Sequence, residues 1–130
     1  MDATLSREER LRSKRALERL FGQGKSGFVY PFRYTYLIEK EPSDNGLPLA
    51  GQIPASVLFS VPKRFHKRAN KRNLLRRRTR EAYRLNKSLL ADGGVSGAAI
   101  ALVYSVKEVA DYKRIEHAVR KILSQIAERV

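Results

Sequence analysis

Apolar residues recur along this chain at two spacings, and the change of spacing marks where one element gives way to the next. From Ser6 to Phe21 the pattern predicts a helix. Leu17, Leu20 and Phe21 form a short apolar edge, and Gly22 and Gly24 end the helix. Ser6 with Glu9 has the spacing of a capping box, and Ser13 offers a second start. Phe28 to Glu39 reads as a strand, because Phe32, Tyr34, Tyr36 and Ile38 alternate with Arg33, Thr35 and Leu37. Lys40 to Pro54 carries the Pro, Gly, Asp and Asn of a loop. Ala55 to Val61 reads as a second strand, stopped by Pro62. Ala98 to Tyr104 (AAIALVY) is almost wholly apolar, as a central buried strand requires. Asp111 is placed to cap a last helix, whose inner stripe is Ile115, Val119, Ile122, Ile126 and Val130.

Between the second strand and the Asp92-Gly93-Gly94 break lies a different pattern. Leu74, Leu75, Ala82, Leu85 and Leu89 fall on one arc of a helix turning by about 100° per residue. Asn73, Arg76, Arg77, Arg80, Arg84 and Lys87 fall on the opposite arc, flanked by Arg72 and Tyr83. Arg78 falls within the apolar arc, so it must snorkel past the core edge or find a buried acceptor. Helix, strands, helix, strand and helix in this order predict an α+β fold with helices packed on a small sheet, and the length of 130 residues suits a single domain spanning 1–130.

Charge turns this architecture towards function. The formal charge is +14, and Lys and Arg supply half of the residues from Lys63 to Arg84, opposed only by Glu81. An ordinary solvated face mixes signs. This one does not, and its partner is expected to be a polyanion. A disordered basic arm would not need the leucine stripe. No apolar run approaches the ~20 residues of a membrane span, and Arg7, Glu8, Glu9 and Arg10 are unlike a secretory signal. The absence of cysteine excludes disulfides and thiolate metal sites and permits a cytoplasmic location.

Candidate catalytic groups are few. RNA cleavage by protein alone needs paired acid–base groups or carboxylates that hold metals. His66 lies among cations, where facing a phosphate suits it better than acting as a base. His117 falls on the surface of the last helix. Glu39, Glu41 and Asp44 gather near the loop, where solvation accounts for them better than a metal does. Gly24-Lys25-Ser26 echoes the end of a phosphate-binding loop, but the earlier glycine is missing and a helix precedes it instead of a strand. The chain is therefore expected to make no bonds itself and to bind no small-molecule substrate.

The segment Arg72-Asn73-Leu74-Leu75-Arg76-Arg77-Arg78-Thr79-Arg80-Glu81 resembles the RNR-motif helix of the bacterial ribonuclease P protein family. Arg72 and Asn73 match the first motif positions and Arg76, Arg77 and Arg80 the later basic ones. Leu74 replaces the second arginine of the motif. Phe65 to Asn70 stands where the family has a glycine and small residues, and Lys67, Arg68 and Lys71 compensate in charge.

The resemblance implies an αβββαβα order with a mixed four-stranded sheet and three helices, similar to domain 2 of ribosomal protein S5. It also implies a left-handed crossover through the basic helix. Matching the order requires a short extra strand near Ser60 to Phe65. The implied function is that of the non-catalytic protein subunit of ribonuclease P. In that family the RNA subunit carries the active site and its Mg2+, and the protein binds that RNA together with the 5′ leader of precursor tRNA. The RNA-binding residues would be Lys67, Arg68, Lys71, Arg72, Asn73, Arg76, Arg77, Arg80 and Arg84, with no cofactor held by the protein. The leader groove would lie between the first helix and the open sheet face. Phe21 matches an aromatic there, and Thr35 falls where a tyrosine is usual. A one-residue slip gives Tyr34 or Tyr36 instead, and core packing of these tyrosines stays open. The competing readings are a small ribosomal or other structural RNA-binding protein, and a DNA binder. Against the DNA binder, no second helix and tight turn precede the basic helix.

Overall fold

Where one strand was expected from Phe28 to Glu39, residues 25–38 fold as a hairpin. The computed structural model describes residues 14–38, 55–93 and 98–129. In it β1 (Lys25–Val29) and β2 (Phe32–Ile38) are antiparallel and joined at Tyr30-Pro31, a cis peptide bond. Pro31 has no N–H to give to a ladder, so it sits at the turn. Gly27 is needed where β1 crosses Tyr34, since a Cβ there would lie 2.6 Å from the tyrosine ring. This hairpin supplies the additional strand that the family order requires. The expected position near Ser60 to Phe65 is therefore corrected. Past β3 (Ala55–Ser60), Pro62 cannot pair, and its carbonyl instead accepts from the N–H groups of Phe65 and His66 at 3.2 and 3.3 Å.

The sheet order is β1-β2-β4-β3, with β4 (Ala98–Tyr104) central, antiparallel to β2 and parallel to β3. The apolar run thus occupies the interior place its composition predicts. Two of the helices, α2 (Ala69–Asn86) and α4 (Tyr112–Glu128), cover one face, and α1 (Lys14–Gln23) lies on the other. The result is an α+β fold with a mixed four-stranded sheet and three long helices. A short α3 (Ser88–Asp92) follows α2 and is closed by the Gly93 N–H, which donates to the carbonyls of Leu89 and Leu90. Asp111 caps α4 as expected, Oδ1 accepting from the Arg114 N–H at 2.9 Å, and Ile115, Val119, Ile122 and Ile126 are buried. The Ser6–Glu9 capping box, the Ser13 start, the acidic loop around Glu41 and Val130 lie outside the described residues.

Alternation along the strands sorts the two faces. Phe32, Tyr34, Tyr36, Val57, Ile100, Leu102 and Tyr104 point into the α2/α4 core. Leu37, Leu58, Ala99 and Ala101 meet Ala16, Leu17 and Leu20 of α1. One row on the α1 face is left open. It runs Phe28–Arg33–Val103–Ser60 across all four strands, with Phe28 and Arg33 exposed.

Candidate nucleic-acid interface

The basic helix starts at Ala69, and its buried arc is rotated from the expected one. Leu75, Thr79, Ala82 and Tyr83 point inward, while Leu85 is 50% exposed. Tyr83, expected beside the cationic face, instead sits edge-on against Phe59 of β3 with ring centroids 5.8 Å apart. An aromatic ring reaching the sheet buries more surface than Leu85 can at the edge. Thr79 is tolerated inside because its hydroxyl donates to the Leu75 carbonyl at 2.8 Å.

This rotation leaves a cationic outer arc. Asn73, Arg77 and Arg80 are exposed, and Arg76 and Arg84 are half-buried beside them. Arg76 donates to Asn73 Oδ1 at 3.0 Å, one turn back. Arg84 reaches Glu81 with two nitrogens, Nε lying 3.1 Å from Oε1, and this partner holds the Glu81 carboxyl below the usual carboxylate range. Lys67, Arg68 and Lys71 are exposed at the helix entry, where Arg68, the N-cap residue, makes no side-chain capping bond.

Two arginines turn towards the protein. Arg72 Nη1 donates to the carbonyls of Lys67 at 2.6 Å and His66 at 3.1 Å, so part of its donor set braces the preceding loop. Arg78 takes the second of the two roles open to it, with Nη1 2.6 Å from the Ala110 carbonyl. His66 corrects its expectation. It does not face phosphate but is buried, with Nε2 2.9 Å from the Val106 carbonyl and its ring against Tyr104. Because a carbonyl only accepts, Nε2 carries the proton. Tyr104 in turn donates to the Glu108 carbonyl and accepts from the Ala110 N–H, and burial pushes its hydroxyl pKa up.

The aromatic candidates separate by face. Tyr34 and Tyr36 are 2% and 4% exposed beneath α4. Tyr34 donates to Gln125 Oε1 at 2.8 Å, and the Tyr36 hydroxyl accepts from Arg129. Their placement in a groove is thereby corrected to the core. Thr35 does face α1, but it is nearly covered and shares a 3.1 Å hydrogen bond with Ser26. Phe21 on α1 and Phe28 on β1 are each 54% exposed. Phe28 was missed as a surface aromatic because the hairpin turn was not recognised. With the turn at Tyr30-Pro31, alternation alone puts Phe28 beside Arg33. Among the described residues no group of three His, Cys, Asp or Glu is placed to hold a metal ion, and no helix is long and apolar enough to cross a membrane.

A mixed sheet with a helix that turns Arg76, Arg77 and Arg80 outward, with no acid among them, defines a small basic α+β protein built to bind a polyanion. The family model for ribonuclease P matches residues 5–127. The ribonuclease P protein component of Porphyromonas gingivalis is 38% identical over 97% of this chain and 88% of its own length. That of Chlorobaculum tepidum is 33% identical over 92% and 83%. The ribonuclease P protein of Thermotoga maritima shares the fold, with a TM-score of 0.68 at 23% identity, covering 90% of this chain and 96% of that one. The Staphylococcus aureus ribonuclease P protein gives 0.67 at 18% identity, covering 92% and 95%. The chain belongs to the ribonuclease P protein family, a subunit of the endoribonuclease complex that binds RNA and matures tRNA 5′ ends.

Proposed function

We propose that this chain is the non-catalytic subunit of its ribonucleoprotein, holding the catalytic RNA with the outer arc of α2 and the 5′ leader of precursor tRNA with the open side of the sheet. The observation that carries the reading is the unopposed arc of Arg76, Arg77 and Arg80 on a helix whose other side is anchored by Leu75, Ala82 and Tyr83. Such an arc neutralises phosphates of a folded RNA and releases counterions. The leader, a flexible single strand, is held by stacking and charge without base reading. Phe28 and Arg33 suit that role, with Phe21 on α1, and they replace Tyr34 and Tyr36. The bond-breaking chemistry and the Mg2+ that supports it are assigned to the RNA subunit, and the working compartment to the cytoplasm. The family match across residues 5–127 supports one RNA-binding domain.

The test is reconstitution with the cognate catalytic RNA, following leader removal from precursor tRNA at low Mg2+. The protein should promote cleavage. If it binds the RNA yet leaves cleavage unchanged, a structural RNA-binding role replaces this one.

A further inference from the structure

The last helix carries a second cationic face, which neither α2 nor the sheet accounts for. The exposed side chains of α4 before Glu128 are Lys113, Arg114, His117, Arg120, Lys121 and Ser124, and none is acidic. Residues three and four apart are neighbours on a helix surface. Those of His117 are Lys113, Arg114, Arg120 and Lys121, so an imidazole stands inside a ring of four cations. Like charges at this spacing destabilise a helix. The fold does not require them, because Ile115, Val119, Ile122, Leu123 and Ile126 bury the opposite side.

The nearest acids are engaged elsewhere or distant. Asp111 caps the helix on the Arg114 N–H. Glu116 is turned to α2, its Oε2 accepting from Asn86 at 3.1 Å. Glu128 lies seven residues beyond Lys121, about two turns away. Arg114 lies over the Tyr30 ring, 5.5 Å from its centroid, which steadies one corner of the ring of cations.

The place of this face names its partner. Helix α4 shares the layer of α2, on the side of the sheet away from α1 and the open row. A leader held by Phe28, Arg33 and Phe21 is screened from it by the sheet and by α4 itself. The seam between the two helices is not cationic. Glu116 and Glu81 both lie there, where burial and these two charges push the Tyr112 hydroxyl pKa up. The two basic faces are thus separate. From Lys113 to Lys121 the helix rises ~12 Å, enough to meet several phosphates of one strand.

We propose that the outer face of α4 is a second RNA-binding site, which takes phosphates from a segment of the catalytic RNA other than the one on α2. Lys113, Arg120 and Lys121 neutralise that backbone, and His117 donates a hydrogen bond to it from the centre of the ring. This rests on the RNA-binding role proposed above and adds a site outside the basic helix.

The experiment measures the salt dependence of binding to the catalytic RNA. Lys113→Ala/Arg120→Ala/Lys121→Ala should keep the wild-type melting temperature and lower the log–log slope by ~2–3. Arg77→Ala/Arg80→Ala should lower it by ~1.4–1.8, and the two losses should add when combined, since the faces share no residue. His117→Ala should weaken binding about 2- to 10-fold, and His117→Gln, which keeps an N–H, should restore most of it. If the α2 pair lowers the slope while the α4 variant does not, the α4 site is overturned and the role of α2 stands. If neither lowers it, both fall. If the α4 variant keeps the wild-type slope with the catalytic RNA but weakens binding of precursor tRNA to the holoenzyme, the face belongs to the substrate, and its assignment to the catalytic RNA is overturned. A loss smaller than the sum would overturn the separation of the two segments. Unchanged binding on His117→Ala would overturn its donor role.

Discussion

Arg78 is bonded to Ala110: its Nη1 lies 2.6 Å from that carbonyl oxygen, across the gap between α2 and the entry to α4. A guanidinium in the most cationic stretch of the chain is thus committed to the fold. Its neighbour Arg77 is exposed on the outer arc. The two should dissociate under mutation. Arg78→Ala is expected to lower stability by about 1–3 kcal/mol, the range for a lost charge-assisted bond with an acceptor left behind. Arg77→Ala should leave the melting temperature within a degree or two and weaken RNA binding. Thermal melts with binding isotherms on the same samples decide this, and the reverse pattern would place Arg78 on the RNA.

The aromatics make a second pair. Phe28→Ala should leave stability almost unchanged and weaken holoenzyme affinity for leader-bearing precursor by ~1–3 kcal/mol, the range for one stacked base. Tyr34→Ala removes a buried ring and its bond to Gln125, so it should cost about 3–5 kcal/mol of stability. Equal loss of affinity for mature and precursor tRNA on Phe28→Ala would remove Phe28 from the leader groove.

Much of this was legible in the sequence, because it depends on strong local periodicity. The stripe of Ile115, Val119, Ile122 and Ile126, the Asp111 cap and the apolar β4 were plain. The hairpin was not, because one turn at Tyr30-Pro31 leaves the strand-like composition on both sides intact. The orientation of α2 was hidden for another reason. Helical periodicity weighs leucines evenly, but the space beside β3 takes the large ring of Tyr83 and leaves Leu85 at the rim. Likewise His66 looked like one more polar residue in a cationic run. Its acceptor, Val106, is forty residues away, which no local pattern reveals.

Tyr104 gives a pH dependence. Burial raises its hydroxyl pKa, so the folded state keeps the proton more tightly than the unfolded chain does. Its stabilising contribution is therefore full below the ordinary tyrosine pKa of about 10 and is lost as pH rises through the folded value. Wild-type stability should fall on the alkaline side. Tyr104→Phe should start lower, having lost the bonds at Glu108 and Ala110, and should decline less steeply there. Denaturant titrations from neutral to strongly alkaline pH check this; parallel declines would mean other groups control it.

Glu81 is the one acid on the basic helix, and it is paired with Arg84. Its carboxyl pKa is lowered, so the pair helps stability above the ordinary carboxylate range and loses that help as pH falls. The pair is only partly covered and reached by solvent, so Glu81→Gln should change stability by less than about 1 kcal/mol. It should tighten RNA binding at low salt by removing the one negative charge on α2. Weaker binding would show that Arg84 needs Glu81 to point at RNA.

Binding of the protein to its catalytic RNA across a series of salt concentrations is the most direct measurement, comparing the wild type with Arg76→Ala/Arg77→Ala/Arg80→Ala. The triple variant should fold normally, bind more weakly and show a log–log slope shallower by ~2–3, about 0.7–0.9 for each lost phosphate contact. A folded variant with the wild-type slope would contradict the assignment of this helix face to RNA.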